Sequence, residues 1–179
     1  IRSKQEEYKL VKSIPKIFRH FYDFINAAKK KLIDIDLVVL ATPSGMHPIQ
    51  VIEVANEGMH ACTEKPMATK WEDGLKMLEA CKHNSVRLFV VKQNRFNSTL
   101  QLVKRQIDSG RFGKIALVVV NVFWHRPQSY YDQDNWRGTW EYDGGALMNQ
   151  ASHYIDLLDW LIGPVENINA SIATIGRSI

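Results

Sequence analysis

The sequence predicts an α/β fold: a parallel sheet built from βαβ units up to about residue 94, followed by an α+β part. Three observations carry that expectation. Short β-branched apolar runs alternate with stretches of helical period, and Gly, Pro and Ser clusters separate them. After Asn94 the alternation stops and a long aperiodic segment rich in Tyr, Trp and Asp appears.

Taken in order, Ile33 to Ala41 reads as a buried strand, and Thr42-Pro43-Ser44-Gly45 as its exit loop. A helix follows from about Pro48 to Glu57, with Gly58 as its stop. Met59 to Thr63 is a second strand, Trp71 to His83 a second helix and Val86 to Val91 a third strand. Strands separated by helices of this length pair in parallel, in a sheet covered on both faces. Beyond Asn94, Ser98 is expected to cap a helix to about Ser109 that Gly110 ends. Lys114 to Trp124 is strand-like, Arg126 to Asp143 an irregular loop, Ala146 to Leu161 one helix behind Gly144-Gly145, and Val165 to Ile175 another strand. The expected division is thus 1–94 and 95–179.

Composition narrows the function classes. The 179 residues are 45% hydrophobic, which fits a globular chain with a core. No apolar run approaches the roughly 20 residues of a membrane span, so no membrane partner is expected, and a cytoplasmic location is the default. Formal charge is +4, but residues 1–31 carry nine Lys/Arg against three acids while the other residues carry fourteen against sixteen. The basicity belongs to one segment, and no nucleic-acid face is expected. Phe18, Phe21, Tyr22 and Phe24 in that segment have the spacing of a buried face. Cys62 and Cys81 sit in apolar stretches and read as buried thiols. His60-x-Cys62 offers two ligands, too few for zinc, so no metal is expected.

Three constellations could carry chemistry. Glu64-Lys65-Pro66 directly follows a parallel strand, at the end of the sheet where ligands bind in such folds. Pro66 keeps Lys65 out of a helix; the pair is either a surface ion pair or a lysine whose pKa a neighbouring cation lowers into the range of a general base. Asn149 and His153 stand four apart behind Gly144-Gly145, so on one helix they would share a face, as core polar groups or as a grip on a ligand. The strand exit Lys92-Gln93-Asn94-Arg95 and the loop from Tyr130 to Trp140 combine cations with aromatic rings, which suits an anion and a flat ring, or an aromatic core. Asp156 and Asp159 are expected to orient neighbours or face solvent.

Ala41-Thr42-Pro43-Ser44-x-x-His47, Glu64-Lys65-Pro66 and Gly144-Gly145-x-x-x-Asn149-x-x-x-His153, in this order, resemble the Gfo/Idh/MocA oxidoreductases. The resemblance spans about residues 33–175, more loosely 13–32. It is nearest the UDP-N-acetylglucosaminuronate 3-dehydrogenase subgroup, through Thr63 to Thr69, Val90 to Asn97 and Gly144 to Tyr154.

That resemblance implies the C-terminal half of a Rossmann sheet, then the start of an α+β domain with an open, mostly antiparallel sheet. It implies NAD as cofactor, NADP remaining open, with Lys65 and His153 as catalytic residues. Thr42, Pro43, Ser44, His47, Glu64, Lys65, Pro66, Trp136 and Arg137 would line the cofactor, and Lys92, Gln93, Asn94, Asn149, His153 and Tyr154 the substrate. Many relatives carry Asp at the position of Asn149; an amide cannot relay a proton, which favours Lys65 as the base. The implied reaction is oxidation of the C3 hydroxyl of a UDP-N-acetylglucosaminuronic acid, with a pathway aminotransferase downstream, 2-oxoglutarate as re-oxidant of NADH, and a homodimer or homotetramer as the assembly. The alternatives are another dehydrogenase of the family, acting on a free sugar, an inositol or another nucleotide sugar, and a non-catalytic sugar- or cofactor-sensing module. No G-x-G-x-x-G occurs in the sequence. The pyrophosphate cradle is therefore expected outside these residues, and this stretch alone is expected to bind NAD weakly.

Overall fold

The computed structural model describes residues 16–176. The chain divides into two units between Ile35 and Asp36. In the first, α1 (Phe21–Lys29) has Asp23 in its first turn and Lys29 in its last, each favourable to the helix dipole. The buried face expected of these rings is not realised: Phe18, Phe21 and Phe24 are half-buried against one another, with centroids 5.9 Å (Phe18 to Phe24) and 6.3 Å (Phe21 to Phe24) apart, and Tyr22 is exposed. Residues 1–15 lie outside the described part.

The second unit holds the expected parallel sheet, with strands β1 (Leu37–Leu40), β2 (His60–Thr63) and β3 (Leu88–Val90) in sequential order. Leu40 lies opposite Thr63, and Thr63 opposite Val90, so the strands end level. Each strand is shorter than its apolar run, though cross-strand bonds also reach Asp36, Arg87 and Val91 at the strand ends.

Helices α2 (His47–Asn56) and α3 (Trp71–His83) connect the strands and pack against each other. Pro48 at the start of α2 fits the first turn, where its missing N–H costs nothing. Its C-terminus closes through Gly58, φ +76°, with Gly58 N donating to Ala55 O and Met59 N to Val54 O, which satisfies carbonyls left over at the helix end. Val51, Val54, Ala55 and Met77 are fully buried between helices and sheet. Each of the larger ones contributes about 1.5–3 kcal/mol of burial.

Coverage of the sheet departs from expectation. Leu40, Ala61 and Thr63 face the helices and are buried, whereas Leu37, Val39 and Phe89, on the other face, are 45%, 64% and 46% exposed. Cys62 is on that face and only half-buried; Cys81, inside α3, is buried, which raises its thiol pKa.

Past β3 the elements are α4 (Ser98–Asp108), α5 (Gln128–Asp132), α6 (Gly145–Asn149) and α7 (Ser152–Leu161). The cap of α4 is Asn97, one residue before the expected Ser98: its side-chain oxygen accepts from Thr99 N at 3.0 Å. The loop expected between 126 and 143 contains the one-turn α5. Lys114 to Trp124 and Val165 to Ile175, expected as strands, join no ladder among the described residues, and Leu117, Phe123, Ile168 and Ile175 are exposed. Strand propensity expresses itself only when a partner strand is beside it. The single helix expected over 146–161 is two helices. Ala151 N reaches back five residues to Ala146 O at 2.8 Å, a wide turn that ends α6 before α7 begins.

No helix among the described residues is long and apolar enough to cross a membrane.

Candidate active site

The site forms where the three strands end. Thr63 closes β2, and Lys65 follows two residues later in front of a cis Lys65-Pro66 bond. The Lys65 amine donates to the backbone carbonyl of Asn149 at 2.7 Å and to Asn149 Oδ1 at 2.9 Å, across 84 positions of sequence. In an uninterrupted helix that carbonyl would accept from the His153 amide. The wide turn at Gln150-Ala151 turns it toward Lys65 instead. Gly144 and Gly145, at φ +76° and +78°, start α6 in a backbone conformation that costs residues with a side chain.

Asn149 and His153 are each 8% exposed. Asn149 Nδ2 donates to Asp143 Oδ1, and Asp143 is 6% exposed. His153 Nδ1 and Thr63 Oγ1 are buried without a hydrogen-bond partner. Buried polar atoms in that state are uncommon.

Electrostatics link the two expected catalytic groups. Burial lowers the pKa of Lys65, and the positive charge of Lys92 adds to this against the opposing pull of Glu64 and Asp143. Burial also lowers the pKa of His153, and the charges of Lys65 and Lys92 lower it further, against Asp156 and Glu64. Lys65, Lys92 and His153 therefore feel one another's charge, as members of one site must.

Thr42 Oγ1 donates to Gln50 Oε1 at 2.5 Å, and Pro43 leads into a short 3-10 turn, Ser44–Met46, in which Ser44 is buried. His47 is fully buried, with Nδ1 3.0 Å from Pro66 O and Nε2 3.0 Å from Thr42 O. It ties the exits of β1 and β2 together. Glu64 accepts from Lys65 N at 3.4 Å. A side chain at Gly45 would overlap the carbonyl oxygen of Glu141 and come within 2.8 Å of Tyr142 Cα, and Gly45 N donates to Tyr142 O at 3.1 Å. Only glycine lets the 141–142 backbone approach this turn.

Of the cations after β3, Arg95 is committed: its guanidinium holds Asp156 through two bonds of 2.9 and 2.7 Å. Lys92 lies 3.9 Å from the same carboxylate, a loose pairing. Asp156 thus orients neighbours, as expected. Gln93 is exposed and Asn94 half-buried in the 3-10 turn Gln93–Phe96. Tyr154 packs edge-on against Trp124, centroids 5.8 Å apart. Arg137 lies between Trp136 and Tyr130, 4.7 Å from each ring centre, and bonds Asp134 and the Tyr130 hydroxyl. A cavity of about 560 Å³ is lined by apolar residues such as Met67, Val90, Leu147 and Ile155, with Lys92 and Asp156 also on its wall. Lys65 and His153 do not line it.

Asp143 has no role expected from sequence, and Gly45 is expected only as part of the loop leaving β1. For Asp143 a signal exists, an acid directly before the Gly-Gly turn; for Gly45 none does, since the close approach is made by a loop a hundred residues away.

No group of three His, Cys, Asp or Glu side chains suited to a metal occurs among the described residues.

Comparison with known proteins adds the lineage. The chain is similar to the WlbA dehydrogenase of Bordetella pertussis, solved with NADH and UDP-GlcNAcA, at 56% identity and a TM-score of 0.85 over 99% of this chain and 49% of that one. It is similar to the WlbA dehydrogenase of Chromobacterium violaceum, solved with the same two ligands, at 53% identity and a TM-score of 0.87, with the same coverage. Levoglucosan dehydrogenase of Pseudarthrobacter phenanthrenivorans is 30% identical over 79% of this chain and 36% of its own length. The chain thus spans about half the length of these solved relatives and about a third of that curated one. Residues 4–92 match the model of the oxidoreductase family with an NAD-binding Rossmann fold, and residues 100–178 match the GFO/IDH/MocA C-terminal domain. With both halves matched to the same family, this chain belongs to the GFO/IDH/MocA oxidoreductases.

Proposed function

We propose that this chain supplies the base and part of the substrate site of an NAD-dependent dehydrogenase that oxidises the C3 hydroxyl of UDP-N-acetylglucosaminuronate to a ketone. The two WlbA relatives, solved with NADH and UDP-GlcNAcA, support the choice of cofactor and sugar. The observation that carries the chemistry is the pair of bonds from Lys65 Nζ to Asn149 O and Oδ1.

A neutral amine has two N–H bonds and one lone pair. With both N–H bonds donated to Asn149, the lone pair is left for a substrate proton. Burial favours this neutral form by lowering the Lys65 pKa. Unpartnered polar atoms on Thr63 and His153 fit a polar ligand at the strand ends. NAD bound at these strand ends would supply the acceptor for the hydride of the carbinol carbon. Lys65 takes the hydroxyl proton as the carbon–oxygen double bond forms, so the alcohol gives up one hydride and one proton. His153, kept neutral by burial, hydrogen-bonds the same oxygen and aligns it. Lys92 faces an anionic group of the substrate, because its hold on Asp156 is loose while Arg95 is spent. Thr42, Pro43, Ser44, Glu64 and Pro66 border the cofactor, with Trp136 and Arg137 on the loop beyond. His47 shapes this crevice by joining its two walls.

We place the division between dinucleotide-binding and substrate domains near residue 94, and the gap between the two family matches, 92 to 100, supports it. A homo-oligomer in the cytoplasm, 2-oxoglutarate as re-oxidant and an aminotransferase consuming the keto sugar complete the reading. The test is a substrate panel in the intact enzyme, followed by NADH absorbance. UDP-N-acetylglucosaminuronate is expected to be turned over far faster than free sugars or inositols, and the reverse preference overturns the assignment.

A further inference from the structure

We propose that Asp143 is a positioning residue for this reaction: its buried carboxylate fixes the Asn149 amide so that the oxygen, and not the NH2, faces the Lys65 amine. The inference rests on the reading of Lys65 as the proton acceptor.

The two ends of an asparagine amide are almost equal in size and opposite in hydrogen-bonding character. Nothing about the shape of the pocket therefore decides which end meets Lys65. Asp143 decides it. An ionised carboxylate only accepts, so the end of Asn149 that meets Asp143 Oδ1 is Nδ2, and Oδ1 is left to accept from Lys65 at 2.9 Å. Turned around, the amide would set two acceptors against each other at Asp143. It would also aim an N–H at Lys65, where only the amine lone pair could receive it. That is the pair the substrate proton needs.

The carboxylate is itself held in place. Asp143 N and Gly144 N donate to Thr139 O at 3.0 and 3.1 Å, and Tyr142 N to Thr139 Oγ1 at 3.2 Å, so a tight turn presents the side chain. The Gly144-Gly145 backbone then brings Asn149 round to meet it. Asp143 and Asn149 are 6% and 8% exposed, so water competes little for either group. Charge enters second: Asp143, Glu64, Lys92 and His153 are the ionisable groups that surround the Lys65 amine.

Neutron diffraction on deuterium-exchanged crystals of the wild-type intact enzyme reads the amide directly and needs neither substrate nor a mutant. Two deuterons on the Asn149 atom nearest Asp143 are expected; deuterons on the atom nearest Lys65 overturn the proposal. Kinetics then test the consequence through Asp143→Asn, Asn149→Ala and the double variant, each checked for folding by its melting curve. Asp143→Asn offers a donor as well as an acceptor and removes the lock. The kcat is expected to fall about tenfold, with KM for the nucleotide sugar within about twofold, the signature of a group felt in the transition state. In the Asn149→Ala background the same change is expected to alter kcat by less than about twofold, because the hydrogen-bonded route through the amide is gone and only the weaker direct effect of charge remains. Equal losses in both backgrounds, or Asp143→Asn within twofold of wild type, overturn the proposal. If Asp143→Asn does not fold, the neutron result decides. An intact enzyme that ignores the nucleotide sugar would sink the functional reading and leave the neutron test standing.

Discussion

Lys65 and Arg95 are two cations at the same end of one sheet, and they are held in opposite ways. Lys65 rests on a peptide carbonyl and an amide oxygen, neither with a formal charge, and burial lowers its pKa. Arg95 rests on the Asp156 carboxylate through two bonds, 5.9 Å above the Trp160 ring, and that bonding raises its pKa. A cation meant to give up its proton receives dipoles; one meant to keep it receives a counter-ion. On the proposed reading of Lys65, the contrast separates a base from a brace at positions where the sequence shows only two basic residues after two strands.

Breaking the first side of the contrast has the largest expected effect. Lys65→Met in the intact enzyme is expected to cost about a thousandfold or more in kcat with folding retained. Near-normal turnover in a stopped assay would remove Lys65 from the chemistry. His153→Ala is expected to cost about a hundredfold, since alignment of the hydroxyl is lost while the base remains.

On the bracing side, Asp156→Ala is expected to lower stability by about 1–3 kcal/mol, from the lost charge-assisted bonds to Arg95, as read by denaturant unfolding. Loss of activity with no change in stability would make Asp156 part of the site. Gly45→Ala is expected to cost a similar 1–3 kcal/mol, because its Cβ meets backbone at Glu141 and Tyr142, which cannot swing aside.

The smallest effect is a pH slope. Burial holds the folded His153 pKa below its ordinary 6.5, so the unfolded chain takes up this proton first. Stability from this group is present above about pH 6.5 and is lost as pH falls from there through the lower folded value. Melting temperatures are expected to drop less steeply with acid in His153→Asn than in the wild type; equal slopes would assign the proton uptake elsewhere.

The βαβ part was legible because its elements carry their own signals. α3 runs from Trp71 to His83 as the periodicity predicts, and α2 stops at the expected Gly58. Past Asn94 the signals are incomplete. Asn97 and Ser98 are both good caps, and only geometry chooses between them. Lys114 to Trp124 has the composition of a strand, but pairing depends on what lies beside it. Within the site, Lys65 and His153 were legible as residue types at telling positions. Their meeting is implied by the resemblance, but the bonds from Lys65 to Asn149 were not legible, because they depend on where the Gln150-Ala151 turn delivers Asn149, and no residue in Asn149-Gln150-Ala151-Ser152 is a helix breaker.

That interruption also shapes how the tether on Lys65 can be lost. One of its two anchors is a main-chain oxygen, present whatever amino acid occupies position 149. Mutation there can erase the amide and still leave the lysine moored at 2.7 Å by a group that no codon change at that position removes. Position 149 can therefore explore acidic, amide or aliphatic residues while the main-chain anchor on Lys65 stays in place.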